Sequence, residues 1–262
     1  MNVLDKIVAE KRKEIEAQKA LNSIDQLTKM EGFSRKGFST ADRMKSSVLP
    51  AIISEFKRQS PSKGIINDKV DVVKVTQGYC EAGASAVSIL TDEPFFGGTI
   101  EDLQRARPHV SCPILRKDFI IDEYQIYKTK AIGADLMLLI AAILTKEEIK
   151  RFTSLAHELG LEVLLEIHNQ EEFEQAYIPE VDILGVNNRD LKRFKTTIQN
   201  SIDLSEILPK EQLKISESGI STTQDMADLT AAGYKGFLIG EQFMKHADPA
   251  AELKKFMKEE LV

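Results

Sequence analysis

Eight apolar runs alternate along the sequence with segments that carry helix signals, and this alternation constrains the fold more than any other feature. Several of the runs are apolar at consecutive positions, as expected for parallel strands that are covered on both faces of a sheet. Strands that alternate with helices predict parallel βαβ units, and eight such units predict an α/β protein with a (β/α)8 TIM barrel. The predicted strands are Ala51–Ser54, Ala86–Leu90, Pro113–Arg116, Asp135–Ile140, Glu162–Glu166, Ile183–Val186, Leu213–Ser216 and Gly236–Ile239.

Capping residues and glycines mark the ends of the intervening helices. Side chains of Ser, Thr, Asp and Asn satisfy the free amide groups at a helix start, and glycine adopts the left-handed conformation that ends a helix. Helix starts are predicted at Thr99, Asp122, Thr145, Asn169, Ser221 and Asp248, and helix ends at Gly83, Gly133, Gly160 and Gly233. Thr99, Thr145 and Ser221 are each followed three residues later by Asp, Glu or Gln, which predicts a capping box at each.

No linker divides the barrel pattern, so residues 1–262 are predicted to form one domain. Within it, residues 1–47 are predicted to be an N-terminal helical extension and residues 48–262 the barrel. The segment Glu31–Ser39 is predicted to be a loop of that extension.

The start of the extension has an amphipathic pattern. Leu4, Ile7, Val8 and Ile15 form one apolar face at helical spacing. We expect this extension to cover the barrel mouth and help to enclose a ligand, because an apolar helix face must be buried against something. The charged run Lys11–Glu14 is expected to lie on the solvated faces of the helix.

Charge and composition exclude several classes of protein. Lysine and arginine number 35 against 41 acidic residues, a net charge of −6, whereas a nucleic-acid-binding protein would show a basic excess. The longest apolar run, Leu136–Leu144, has nine residues, and a membrane helix needs roughly 20. Since the N-terminus lacks the pattern of a secretory signal, we expect a cytoplasmic protein with no nucleic-acid or membrane partner. Cys80 and Cys112 lack metal-ligand spacing and are predicted to be unpaired thiols.

Charged residues stand at the predicted strand ends, where the active site of such a barrel lies. Glu55 and Lys57 are two positions apart and point to the same face of an extended chain. Lys117 and Glu166 stand where the third and fifth apolar runs stop. We predict that these groups converge on one pocket, where Lys57 lowers the pKa of Lys117; the alternative is a buried layer of salt bridges. His168 is expected to have at most a supporting role.

Two turns of small residues predict a phosphate site. Ser218–Gly219 and Gly240 follow the last two predicted strands, and the phosphate site of many barrels lies in those loops near a helix N-terminus. Lys57 and Ser60 are expected to close the third side, because the first and last strands are neighbours in a closed barrel. Ordinary turns that happen to contain glycine are the alternative.

The segment Ile53–Gly64, ISEFKRQSPSKG, resembles the signature segment of the indole-3-glycerol phosphate synthases of tryptophan biosynthesis. The resemblance continues in order through the whole barrel. It implies an enzyme that closes the ring of 1-(2-carboxyphenylamino)-1-deoxyribulose 5-phosphate with release of CO2 and water, and that uses no metal or organic cofactor. The other similar segments are Phe96–Gly98, Leu115–Phe119, Leu164–His168, Gly185–Leu191, Ser216–Ile220 and Phe237–Gly240.

The resemblance also implies roles for individual residues. Lys117 would be the general acid at the ketone oxygen and Glu166 the general base of the dehydration. Glu55 and Lys57 would orient and polarise the substrate, and Asn187 with Ser218 would support Glu55 and the sugar hydroxyls. Phosphate would be bound by Lys57, Ser60, Gly219, Ile239 and Gly240, the aromatic ring by Phe96, Phe119, Leu138 and Phe194, and Arg189 would help to hold the substrate.

Three other functions are compatible with these residues. Lys117 or Lys57 could form the Schiff base of an aldolase, because a desolvated lysine near another cation is nucleophilic. The second alternative is a barrel that binds a phosphorylated ligand without converting it, and the third is a sister isomerase of the same pathway. In each case the predicted partner is a small phosphorylated molecule, and both a monomer and a homodimer fit the sequence.

Overall fold

Eight parallel strands close into a barrel in the computed structural model, which describes residues 3–189 and 196–260. The strands are β1 (Ala51–Phe56), β2 (Ala86–Leu90), β3 (Ile114–Lys117), β4 (Leu136–Ile140), β5 (Glu162–Ile167), β6 (Ile183–Asn187), β7 (Lys214–Glu217) and β8 (Gly236–Ile239). Each strand pairs with its neighbours in chain order, and Ala51 of β1 pairs with Gly236 of β8 to close the ring. The predicted (β/α)8 barrel with an N-terminal helical extension is confirmed.

Several strands run one or two residues further than predicted, and most of the added residues are polar. Glu55 pairs with Ser88, Lys117 with Leu90, and Glu217 with Asn187. The apolar pattern ends earlier than the hydrogen-bonded ladder, because the last residues of these strands point into the barrel mouth rather than into its core. The functional side chains are therefore held on the rigid sheet itself.

The helices surround the barrel and extend it at the N-terminus. They are α1 (Val3–Leu21), α2 (Ile24–Leu27), α3 (Glu31–Ser34), α4 (Thr40–Ser46), α5 (Val72–Glu81), α6 (Glu93–Phe96), α7 (Ile100–Ala106), α8 (Glu123–Ala131), α9 (Lys146–Glu158), α10 (Gln170–Ala176), α11 (Gln199–Ser205), α12 (Thr223–Ala231), α13 (Glu241–Met244) and α14 (Pro249–Glu260). Short 3-10 turns lie at Arg107–His109 and Ala141–Ile143, and Gln59–Ser60 pairs with Gly64–Ile65 in a small antiparallel ribbon after β1.

Most of the predicted helix ends are confirmed. Thr99 and Thr145 form capping boxes, and the side chains of Asp122, Asn169 and Asp248 accept backbone hydrogen bonds at the starts of α8, α10 and α14. The four predicted terminal glycines have positive φ. The capping box predicted at Ser221 is wrong by one residue: Thr222 caps α12, and the carboxylate of Asp225 accepts from the backbone N–H groups of both Ser221 and Thr222.

The extension contacts the mouth of the barrel, as expected, and also its opposite end. Val3, Leu4 and Ile7 of α1 line the cavity at the mouth. At the opposite end, Met44 of α4 packs against the apolar interior of the barrel. Glu162, the first residue of β5, accepts a hydrogen bond from the backbone N–H of Thr40 at 2.7 Å.

Two further expectations for the extension are wrong. Glu31–Ser34 is a short helix rather than part of a loop, and Gly32 allows it to lie directly on α8, where a side chain would collide with the carbonyl of Ala131. Lys11, expected on a solvated face, is 1% exposed. Its ammonium is buried because it pairs with Asp92 and Asp118, which lie beyond the ends of β2 and β3.

The core has two main layers. Side chains on the outer face of the strands pack against the surrounding helices, and a smaller cluster that includes Ile53, Leu115, Leu164 and Leu238 fills the barrel interior. Across the described ranges 3–189 and 196–260, no helix combines the length and apolar character needed to cross a membrane. The interior cluster forms the floor of the cavity at the mouth.

Candidate active site

A cavity of about 1970 Å³ opens at the carboxyl ends of the strands. Its wall brings together predicted site residues that are far apart in the sequence. Those in its wall are Glu55, Lys57, Ser60, Phe96, Lys117, Phe119, Leu138, Glu166, Asn187, Arg189, Ser218, Gly219, Ile239 and Gly240. Phe194, predicted for the aromatic pocket, lies outside the described residues.

The Lys117 ammonium lies between two buried carboxylates. Its Nζ atom is 3.0 Å from Glu166 Oε2 and 2.7 Å from Glu217 Oε2. The three side chains come from the ends of β3, β5 and β7, whose inward-pointing positions meet at the mouth. Glu217 has room there because position 185 on β6 is glycine, and a side chain at Gly185 would occupy the space of the Glu217 carboxylate.

These contacts set the protonation states. Burial alone would lower the pKa of Lys117, but Glu166 and Glu217 outweigh it and raise that pKa. Burial alone would raise the pKa of Glu166, but the ammonium of Lys117 lowers it to about 2. For Glu217, burial and the charge of Glu166 together raise the pKa to about 7. The expectation that Lys57 lowers the pKa of Lys117 is therefore wrong, because two carboxylates are nearer to its charge.

Lys57 is paired instead with Glu55, and their side chains form a short salt bridge on the other side of the cavity. Burial would raise the pKa of Glu55, but the ammonium groups of Lys57 and Lys117 lower it below its usual value. The carboxylate packs against the turn after β8, where a Cβ atom at Gly240 would lie 2.7 Å from Glu55 Oε1. Glu55 and Lys57 are thus held between β1 and β8.

His168 lies between the carboxylates of Glu166 and Glu172. Its Nδ1 atom is 3.1 Å from Glu172 Oε2, and its buried Nε2 atom faces Glu166 Oε1 at 3.5 Å. Burial would lower the pKa of His168, but the hydrogen bond to Glu172 and the charge of Glu166 raise it. A positive charge on His168 therefore adds to the field that keeps Glu166 ionised.

The two turns predicted to bind phosphate follow neighbouring strands, whose last register pair is Leu238 with Glu217. Ser218 has a positive φ of 68°, rare for a residue with a side chain, and the buried Asn188 donates from Nδ2 to its carbonyl at 3.0 Å. Such strained backbone persists where surrounding contacts hold it, and it concentrates at functional sites. The backbone N–H groups of Ser221 and Thr222, just before α12, donate to the carboxylate of Asp225, so these two groups are not available to an anion.

The remaining predicted residues form the walls of the cavity. The ring centroids of Phe96 and Phe119 lie 6.0 Å apart on one side of the cavity. Leu138 of β4 also lines the cavity and belongs to the apolar cluster inside the barrel. Arg189 donates to Ser62 Oγ at 2.6 Å and so connects β6 to the loop after β1. Among the described residues, no hydrogen bond joins Asn187 to Glu55. Asn187 Oδ1 instead accepts from the backbone N–H of Arg189.

Three residues of the site were absent from the predicted set. Glu217 could have been found by the rule that selected Glu166, because it also stands at a strand end and within a segment that resembles the family. Asn188 adjoins predicted residues, but its support of Ser218 depends on the fold of the turn. Lys11 did have a local signal: it stands four residues after Ile7 and four before Ile15, on the buried face of α1, whereas the exposed Lys13 stands on another face.

Within the described part of the chain, no three histidine, cysteine or carboxylate side chains converge in a way that could hold a metal ion. The chemistry available to the cavity from its own residues is therefore proton transfer by ammonium and carboxylate groups, together with anion binding at backbone amides.

Comparison with known proteins gives the same assignment as the motifs. A family model for indole-3-glycerol phosphate synthase matches residues 4–256. The chain belongs to the indole-3-glycerol phosphate synthase family. It is accordingly an enzyme of the carboxy-lyase class, as the resemblance implied.

Relatives named indole-3-glycerol phosphate synthase match along nearly their whole length. The protein from Bacteroides thetaiotaomicron is 49% identical over 98% of both chains. The protein from Neisseria meningitidis serogroup B is 42% identical over 97% of this chain and 98% of the relative. Among solved structures, 3-hexulose-6-phosphate synthase from Salmonella typhimurium superposes with a TM-score of 0.62 and 15% identity, covering 79% of this chain and 97% of that one. That likeness concerns the barrel fold alone.

Proposed function

We propose that this chain converts 1-(2-carboxyphenylamino)-1-deoxyribulose 5-phosphate to indole-3-glycerol phosphate by general acid–base catalysis with Lys117 and Glu166. The observation that carries the proposal is the Lys117 ammonium held between the buried carboxylates of Glu166 and Glu217 inside the cavity. A proton donor and a proton acceptor thereby face the same space. Ring closure and dehydration need both.

In the first step, the aromatic carbon that bears the carboxylate attacks the ketone carbon. The ketone oxygen gains negative charge as this bond forms, and Lys117 donates a proton to give a hydroxyl group. The bond to the carboxylate then breaks, its electron pair restores the aromatic ring, and CO2 leaves. The apolar side chains of Phe96, Phe119 and Leu138 favour this loss of charge.

In the second step, the new hydroxyl leaves as water. Glu166 removes a proton from the ring-closed intermediate, and an ammonium at the mouth supplies the proton that leaves with the oxygen. This ammonium is Lys57, or Lys117 after it has taken up a proton from water to replace the one donated in the first step. The Lys117 charge lowers the pKa of Glu166 to about 2 against the effect of burial, which keeps this group ionised but makes it a weak base while that charge is present. Transfer becomes favourable as Lys117 gives up its own proton nearby.

The phosphate of the substrate would bind at the turns after β7 and β8. Gly219 and Gly240 line the cavity with bare backbone, which an anion can approach closely, and a Cβ atom at either would collide with Thr196 or Glu55. The Lys57 ammonium and the buried Ser60 hydroxyl line the same cavity from the β1 side. This arrangement orients the substrate with its aromatic end toward Phe96 and Phe119.

The Schiff-base aldolase is disfavoured by the same ion pairs. A lysine nucleophile must be neutral, whereas Glu166 and Glu217 raise the pKa of Lys117 against the effect of burial. Lys57 is likewise paired with a carboxylate, that of Glu55. Borohydride in the presence of a keto-phosphate is expected to leave the protein unlabelled.

Lys117→Met and Glu166→Gln are expected to fold and to lose about 10²- to 10⁴-fold in turnover, the usual contribution of a positioned acid or base. Product formation can be followed by indole-like fluorescence without added metal, because the chain has no tryptophan. Lys150→Met, on the exposed face of α9, is the matched control. Native turnover in either variant, with a native circular dichroism spectrum, would falsify the assignment.

A further inference from the structure

Lys11 is a buried cation that the proposed chemistry does not use. Its side chain is 1% exposed, and its Nζ atom lies 2.9 Å from Asp118 Oδ1, 3.1 Å from Asp92 Oδ2 and 2.6 Å from Glu14 Oε2. Burying an ammonium is unfavourable unless the charges around it are close and well oriented. The contacts therefore define a specific joint between α1 and the loops after β2 and β3.

Both aspartates at this joint also hold the backbone of the aromatic wall, the side of the cavity formed by Phe96 and Phe119. Asp118 Oδ1, the atom that contacts Lys11, also accepts from the backbone N–H of Phe119 at 2.8 Å. Asp92 caps α6, and its Oδ1 accepts from the backbone N–H of Phe95, the residue before Phe96. One ammonium thus joins the two carboxylates that fix the two sides of the wall.

We propose that Lys11 is a positioning residue, which fixes Phe96 and Phe119 against the aromatic end of the substrate by holding Asp92 and Asp118. Asp118 directly follows Lys117 in the chain, so the same contact restrains the end of β3. The inference rests on the proposed function for the identity of the substrate. It does not require Lys11 to touch that substrate.

Without Lys11, the joint would keep one positive charge, that of Arg116, against the carboxylates of Asp92, Asp118 and Glu14. Asp118 is also held by Arg116 at 2.9 Å, and Glu14 is the partly exposed carboxylate on α1 itself. Burial and the charge of Asp118 raise the pKa of Asp92, so it would be the first of the two to take up a proton if the Lys11 charge were lost. A variant without this charge should therefore keep a compact joint at low pH and lose it as pH rises and Asp92 ionises.

The test compares binding at the two ends of the cavity. Lys11→Met is expected to lower kcat/KM by about 10- to 100-fold, the range that follows a small misplacement of binding groups. Anthranilate, a probe of the aromatic end, should inhibit the variant more weakly than the native chain, whereas inhibition by inorganic phosphate should be unchanged. The defect should deepen as pH rises and Asp92 ionises. Lys13→Met is the matched control, because Lys13 is 74% exposed on the same helix.

A second variant keeps the test decisive if Lys11→Met does not fold. Lys11→Met with Asp92→Asn removes one positive and one negative charge together, and asparagine retains the cap of α6. We expect the double variant to fold and to show the same selective loss of anthranilate binding, now without the added pH dependence.

Three outcomes would overturn the inference: native anthranilate inhibition and kcat/KM in a folded variant, an equal loss of phosphate and anthranilate binding, or failure of both variants to fold. The last two would mean that Lys11 supports the whole structure rather than the wall. If the native chain itself does not convert the substrate, the proposed function fails instead, and the two results are distinguishable.

Discussion

At the scale of single residues, the protonation of the cavity depends on how many carboxylates share one ammonium. Lys117 carries a single positive charge, while Glu166 and Glu217 bring two negative charges within hydrogen-bond distance of it. One carboxylate can be fully compensated and the other cannot, so their pKa values separate, to about 2 for Glu166 and about 7 for Glu217. The pair therefore offers one carboxylate that is ionised at neutral pH beside a second that titrates near neutrality.

Glu217→Gln is expected to remove a pH dependence of stability. Burial and Glu166 raise the pKa of Glu217 from 4.5 to about 7. A group with a raised folded-state pKa contributes stability that is fully present below its unfolded pKa and is lost as pH rises through the folded value. Between those two pH values, the free energy of unfolding of the native chain should fall relative to that of the variant. Urea titrations at several pH values measure this difference, with the exposed Glu206→Gln as control; a difference that stays constant with pH would contradict the prediction.

At the scale of elements, the two ends of the barrel have different tasks. The carboxyl ends of the strands carry the cavity, and the amino ends of β4 and β5 anchor the extension. Asp135, which immediately precedes β4, pairs with Arg107 at 2.7 Å and accepts from the backbone N–H of Phe38 at 2.8 Å. Polar residues at the amino-terminal face of such a barrel serve stability rather than catalysis.

Glu162→Ala is therefore expected to destabilise the protein and leave its activity unchanged. The carboxylate accepts from Ser39 Oγ at 2.5 Å and from the backbone N–H groups of Thr40 and Ala41 at 2.7 and 3.2 Å. Loss of hydrogen bonds to a charged group costs about 1.5–3 kcal/mol. Thermal unfolding should show a lower Tm than for Glu158→Ala, an exposed control on α9, while kcat/KM stays native. Impaired turnover at a native Tm would contradict the prediction.

At the scale of the whole molecule, the N-terminal extension connects the two ends of the barrel along its side. The first turn of α1 lines the cavity. Later in the same helix, Ile15 packs with Leu27 of α2 and Tyr124 of α8. Helix α4 then closes the opposite end with Met44. Stability and substrate binding are therefore coupled through one segment.

Deletion of residues 1–22 is expected to raise KM and to lower Tm together. The deletion removes Leu4 and Ile7 from the cavity wall and Ile15 from its buried contacts. Ile15→Ala separates the two effects, because it should cost about 2–5 kcal/mol as a large-to-small core substitution while leaving KM native. Steady-state kinetics and thermal unfolding of both variants make the comparison. A truncated chain with native KM would show that α1 does not help to enclose the substrate.

The fold could be predicted from the sequence because its signals are local. The apolar runs of β2 and β8 match the observed strands residue for residue, and the caps at Thr99 and Thr145 act within one helical turn. A strand or cap depends on neighbouring residues, so its pattern is visible without the tertiary structure. The position of Lys117 and Glu166 at strand ends was accessible for the same reason, once the barrel was recognised.

The sequence by itself thus determined the barrel, its closure order and which strand ends carry charged groups. Only the tertiary structure decided which charges meet: Glu217 pairs with Lys117, and Lys11, on the helix face of Ile7 and Ile15, pairs with Asp92 and Asp118. Ion pairs between residues about 100 positions apart, such as Lys117 and Glu217, depend on the register of distant strands. A helical pattern shows which residues share a face, but the neighbour that covers that face, and hence the burial and pKa of each charge, is set by the packing of the whole chain.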